Sequence, residues 1–148
     1  MTIVRKLIDE KTETRIYTVP STATVFDALQ VMYEGNTGAV LVTENEKIVG
    51  IFTERDYARD GEVKGRSARD TIISDVMTKQ MVLIKPETTL EECAELMRKY
   101  RVRHLPVLEK DHVVGLVSIR GLAEALLQQQ QGTIVGLENY ILGTGYGE

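Results

Sequence analysis

Five residues recur in this chain at one spacing. Thr24 and Thr89, Met32 and Met97, Val42 and Val107, Gly50 and Gly115, and Arg55 and Arg120 are each 65 positions apart. Pro20 and Pro86 join the series after a one-residue slip. A chain of 148 residues that repeats itself in this way is two copies of one unit of roughly 55 residues, each too small to cover both faces of its own sheet. The copies must therefore pack on one another, about a pseudo-twofold axis, and a functional surface is expected between them.

Within each copy the patterning changes period in the same order. Thr24-Val-Phe-Asp-Ala-Leu-Gln-Val-Met32 and Thr89-Leu-Glu-Glu-Cys-Ala-Glu-Leu-Met97 place apolar residues at helical spacing behind a threonine that caps the first turn. Two short apolar runs follow, Ala39 to Val42 and Ile48 to Phe52 in one copy, Leu105 to Leu108 and Val113 to Val117 in the other. The polar turns between them make each pair a β-hairpin. Thr53 and Ser118 then open a second helix. Each unit reads β-α-β-β-α, and the fold class is α+β. The polar, glycine-bearing stretch from Asp60 to Asp70 reads as the linker. We divide the chain into 1–65, a first repeat with an N-terminal helix, 66–127, the second repeat with its linker, and 128–148, a C-terminal helical extension. In the extension, residues 133 to 142 read as an additional helix, interrupted by Gly132 and Gly136.

Composition narrows the function. The formal charge of −4 and pI near 5.3 do not suit non-specific binding of nucleic acid, so any phosphate recognition must be local. One cysteine, Cys93, excludes an internal disulfide, and with His104 and His112 it is too little for a four-ligand zinc site. The charged first ten residues do not make a signal peptide, and no run approaches the length of a membrane span. We expect a cytoplasmic protein with no membrane or nucleic-acid partner and no metal.

The motifs Gly50-Ile-Phe-Thr-Glu-Arg-Asp56, Arg103-His-Leu-Pro-Val107 and Gly115-Leu-Val-Ser-Ile-Arg120, set in the order proline, helix, hairpin, helix, resemble the cystathionine β-synthase type (CBS) domain as a tandem pair, over roughly residues 10 to 127. Leu137-Glu-Asn-Tyr-Ile141 resembles small stand-alone bacterial members with no attached enzyme. The resemblance implies a regulatory module that binds an adenosine-containing ligand, AMP, ADP, ATP, S-adenosylmethionine or NAD, in clefts between the repeats. It also implies two chains pairing into a homodimer.

Thr53 and Asp56 share one face of an opening helical turn. An aspartate there can accept both ribose hydroxyls while Thr53 and nearby N–H groups hold an oxygen of the ligand. The same pair also suits a plain helix start, with Thr53 as N-cap and Asp56 favoured by the helix dipole. Arg98 and Lys99 sit well at a helix end, but Arg103 and His104 enter an apolar strand, where charge needs a partner, and a phosphate would supply it. By the geometry the resemblance implies, one cleft holds Thr53, Arg55 and Asp56, is closed by Val102, Arg103, His104 and Pro106, and has Arg120 near the phosphate. Ser118 marks the equivalent helix start, and Ile51, Val82 and Val102 offer apolar surface to the adenine. Gly121 stands where the second repeat should have an aspartate, and Gly38-Ala39 stand opposite Arg103-His104. One good cleft and one weak or empty cleft are expected. The isolated cations favour AMP or NAD over ATP.

No catalytic set emerges. Cys93 falls on the apolar face of its helix, opposite Ala28 in the other repeat, as a core residue would. Gly143-Thr-Gly-Tyr-Gly147 has no helix after it to bind phosphate. The competing expectation is a dimerisation or interaction module with vestigial clefts. In either case Ile134, Leu137 and Ile141 form a stripe suited to a contact between two copies, and an unidentified protein would be the regulated partner.

Overall fold

Thr24 and Thr89 begin matching helices by the same device. Each hydroxyl accepts the N–H of the third helical residue, Asp27 or Glu92, at 3.1 Å, and that residue's carboxylate accepts the N–H of the threonine. Two backbone donors are satisfied at each start. The computed structural model, which describes residues 1–11 and 14–142, with side chains as far as residue 130, places these helices as α2 (Val25–Gly35) and α4 (Leu90–Tyr100). Around them run α1 (Val4–Asp9), β1 (Thr18–Pro20), the hairpin of β2 (Ala39–Glu44) and β3 (Lys47–Thr53), the short α3 (Glu54–Asp56), the hairpin of β4 (His104–Glu109) and β5 (His112–Ser118), and α5 (Ile119–Leu142).

The hairpins correspond in detail. Ala39 pairs with Thr53 as His104 pairs with Ser118, and each hairpin has one irregularity, after Val42 and after Val107. Asn45-Glu46 and Lys110-Asp111 all have positive φ, between 50° and 66°, the backbone that closes a two-residue hairpin with the twist of its strands. The first repeat adds β1 parallel to β2, whereas the second retains a single rung, Ile84 with Val107. Two further differences from the sequence reading appear. After α3 the first repeat continues as a π-helical turn, Tyr57–Glu62, into the stretch read as linker. α5 runs unbroken through Gly132 and Gly136 where two helices are expected, because each glycine costs only about 1 kcal/mol and the glutamines before them favour helix.

Each repeat's core is completed by the segment that precedes the other repeat. Val4 and Leu7 of α1 are buried among Leu90, Cys93, Leu105 and Val117 of the second repeat. Ile73 and Val76 are buried among Val25, Ala28, Val40 and Phe52 of the first. The backbone bonds match: Val4 N–H to Thr88 and Leu90 N–H to Thr2 at one end, Ile73 N–H to Ala23 and Val25 N–H to Thr71 at the other. Arg5 adds ion pairs to Glu109 at 2.6 Å and Glu87 at 3.3 Å. The N-terminal helix therefore packs on the second repeat and the linker on the first, the reverse of the grouping read from chain order. The reason is that α1 and the linker each bring apolar residues whose partners lie across the molecule. Between the two units, Ala39, Leu41 and Ile51 meet Leu116, which closes the contact of the two sheets about the pseudo-twofold axis.

Candidate ligand-binding cleft

The two hairpins end in equivalent bonds. Glu54 donates its N–H to the Gly38 carbonyl at 3.0 Å, and Ile119 donates to the Arg103 carbonyl at 2.8 Å. These rungs hold the start of each first strand against the start of each second helix, and the repeats face one another at this level. A cleft of about 850 Å³ opens here, of small-molecule size. Arg15, Tyr17, Tyr33, Gly38 and Glu54 line it from the first repeat, and Arg103, His104, Ser118 and Arg120 from the second.

Its charge is mostly positive. The Arg15 guanidinium lies over the Tyr17 ring, 5.1 Å from the centroid. Arg120 Nε is 3.5 Å from Glu124 Oε1, an exposed pair that holds it weakly. Arg103 has no ion pair among the described residues. The half-buried His104 is held below the ordinary histidine range, first by burial and then by the charge of Arg103. Gly38 leaves the floor bare: a Cβ there would lie 3.0 Å from Glu54 Oε1 and 3.7 Å from the His104 ring.

The residues grouped from sequence divide. Arg103, His104, Ser118 and Arg120 come together in this cleft, while Ile51, Thr53, Arg55, Asp56, Val82, Val102 and Pro106 do not line it. The internal symmetry explains the division. Ile51, Thr53, Arg55, Val82 and Val102 are the 65-residue counterparts of the lining residues Leu116, Ser118, Arg120, Tyr17 and Thr37, so they mark the twofold-related position. Pro106 is fully buried and its carbonyl accepts from Ile84.

At that related position Thr53 and Asp56 cap one another, Asp56 N–H to Thr53 Oγ1 at 3.0 Å and Thr53 N–H to Asp56 Oδ2 at 3.1 Å. Burial raises the Asp56 carboxyl above its ordinary range, and hydrogen bonding to Thr53 works against that shift. In the second repeat Ser118 Oγ accepts the Gly121 N–H at 3.0 Å, with no carboxylate to answer it. Cys93 is fully buried and its thiol is pushed up to about 12, so it carries no thiolate at neutral pH. The side chains of Ile134, Leu137 and Ile141, and the segment from Gly143 to Gly147, lie outside the described residues.

Sequence reasoning missed Arg15, Tyr17, Tyr33 and Glu54. Glu54 had a signal, since it interrupts the repeat by standing opposite Ile119. The tyrosines had a weaker one, as aromatics in a chain with 5% of them.

The CBS domain family model matches residues 6–60 and 73–128, the two structural repeats. The chain belongs to the CBS-domain family. This CBS pair is 37% identical over 128 residues to a mitochondrial CBS domain-containing protein of Arabidopsis thaliana, covering 83% of this chain and 62% of that one. It is 33% identical over 110 residues to the CBS domain-containing protein YhcV of Bacillus subtilis, covering 74% and 78%. A solved Burkholderia ambifaria protein with CBS domains superimposes with a TM-score of 0.82 at 37% identity, over 87% of this chain and 96% of that one. A CBS-domain protein of Agrobacterium tumefaciens does so with 0.78 at 31%, over 84% and 98%. The CBS pair thus spans less than two thirds of its Arabidopsis relative and nearly the whole of both solved chains. Among the described residues no helix is long and apolar enough to cross a membrane.

Proposed function

We propose that this CBS pair is a non-enzymatic regulatory sensor that binds an adenosine-containing nucleotide between its repeats. The observation that carries the reading is the cleft at Arg103, which three arginines and a half-buried imidazole line together and whose wall at Gly38 bears no side chain. Arginines gathered with one weak ion pair, Arg120 to Glu124, and outnumbering the single lining carboxylate of Glu54 are stabilised by an anion placed among them. Tyr17 and Tyr33 add aromatic surface on which a base can lie. AMP or NAD fits this complement better than ATP, ADP or S-adenosylmethionine. A triphosphate carries about four negative charges, more than the three guanidinium groups of the cleft match.

A thermal-shift series with AMP, ADP, ATP, NAD, NADH and S-adenosylmethionine tests the proposal. A ligand at about 100 times its dissociation constant stabilises by about 2.7 kcal/mol, so AMP or NAD should raise the melting temperature by several degrees. A flat response to all six overturns it. We also propose that the chain works as a homodimer in a reducing compartment such as the cytoplasm and passes nucleotide occupancy to a protein partner. Light scattering that returns a monomer mass at micromolar concentration overturns the dimer.

A second reading, an interaction module with vestigial clefts, draws on the Thr53–Asp56 capping box, which satisfies both groups without any ligand.

A further inference from the structure

The cleft that gathers the cations has no carboxylate at the helix start of its own repeat, because Gly121 stands where the first repeat has Asp56. A carboxylate nevertheless enters it from the opposite repeat. Glu54 lines the same cleft as Arg103, His104, Ser118 and Arg120. Its backbone is fixed by the bond from its N–H to the Gly38 carbonyl. Its Oε1 and the His104 ring both come within 4 Å of the point where a Gly38 Cβ would stand, so carboxylate and imidazole face each other over bare backbone.

Glu54 has no ion pair with any described residue, although three arginines line the cleft with it. It is solvent-exposed, so its oxygens are open to a ligand. Its symmetry counterpart is Ile119, so the acid belongs to one side of the molecule. A carboxylate is acceptor-only, with two oxygens that can each take an O–H. A vicinal diol offers two.

We infer that Glu54 is the hydroxyl acceptor of this cleft, supplied by the first repeat in place of the aspartate that Gly121 removes from the second, and that it selects ribonucleotides over deoxynucleotides. The inference rests on the nucleotide reading above and adds a residue and a selectivity to it. The guanidinium groups take the phosphate and Glu54 takes the ribose hydroxyls. Gly38 is part of the device, since a methyl group there would press on the acceptor oxygen from 3.0 Å.

Calorimetry with AMP, 2′-deoxy-AMP and 3′-deoxy-AMP tests this on the whole chain. The unmodified protein should bind AMP about ten- to 100-fold more tightly than either deoxy form, the usual worth of a hydrogen bond to a charged group. Glu54→Gln should weaken AMP most, weaken each deoxy form less because it keeps one hydroxyl for the acceptor, and so shrink the preference. Asp56→Asn should keep it. Gly38→Ala should weaken AMP with the same selectivity, which keeps the inference testable if Glu54→Gln fails to fold. A Glu54→Gln protein that prefers AMP as strongly as the unmodified protein, or an Asp56→Asn protein that loses the preference, overturns the assignment of Glu54 while leaving nucleotide binding intact. An unmodified protein that binds no adenosine nucleotide overturns the nucleotide reading and this inference with it.

Discussion

Gly38 and Arg103 occupy one place in two copies of the same fold. The carbonyl of each accepts the N–H that opens the following helix, from Glu54 at 3.0 Å and from Ile119 at 2.8 Å, yet one carries no side chain and the other a guanidinium. The backbone is symmetric and the charge is not. That asymmetry makes Arg103 the sharpest test of what the cleft holds. If it serves a phosphate, Arg103→Gln should weaken AMP about ten- to 100-fold and adenosine little. Arg103 has no carboxylate partner among the described residues to strand, so the unliganded melting temperature should stay level or rise slightly. A variant that melts lower and binds AMP normally would show a purely structural arginine.

His104 links the same cleft to pH. Burial and Arg103 hold it below 6.5 in the folded chain, so the neutral form is the one the fold accommodates. The stability this represents is present above 6.5 and is lost as pH falls through the lower folded value. Melting curves between about pH 7.5 and 5 should show the unmodified protein losing more stability than His104→Gln. In Arg103→Gln the imidazole midpoint, followed by proton NMR, should move up. A midpoint unmoved or lowered would mean that Arg103 does not act on His104.

Asp56 titrates in the opposite sense. Its folded value is raised, chiefly by burial, so its contribution is fully present below 3.8 and is lost as pH rises through the folded value. Asparagine keeps a carbonyl to accept the Thr53 N–H and removes the charge. The melting temperature of Asp56→Asn relative to the unmodified protein should therefore improve from about pH 3.5 to about pH 7. A gap that is constant or shrinks over that interval would contradict the burial cost.

Leu7 tests the exchange of segments between repeats. It is 4% exposed and packs within the second repeat's core, so Leu7→Ala should cost about 2 to 5 kcal/mol in urea unfolding. Lys6→Ala, on the exposed face of the same helix, should cost under about 0.5 kcal/mol. Equal costs would mean that α1 is not part of that core.

The repeat, the capped helices and both hairpins are legible in the sequence, because each rests on local chemistry: threonine ahead of a helical period, short apolar runs, a polar turn between them. Burial follows from the same patterns, as Ala28 and Cys93 show at equivalent fully buried positions. The exchange of α1 and the linker is harder to see. Its trace, Thr2-Ile3-Val4 against Thr71-Ile72-Ile73, recurs at a spacing different from that of the main repeat.

What the sequence determined by itself is what neighbours along the chain decide: two copies of one unit, the order of their elements, and the loss of an aspartate at Gly121. Only the tertiary structure decided which copy each segment completes and which side chains meet in a cleft. Arg103 and His104 come together with Arg15, Glu54 and Arg120, and not with Asp56, because the two repeats face one another across a twofold axis. Under that symmetry either pairing is equally consistent with the spacing, and packing between distant parts of the chain selects one.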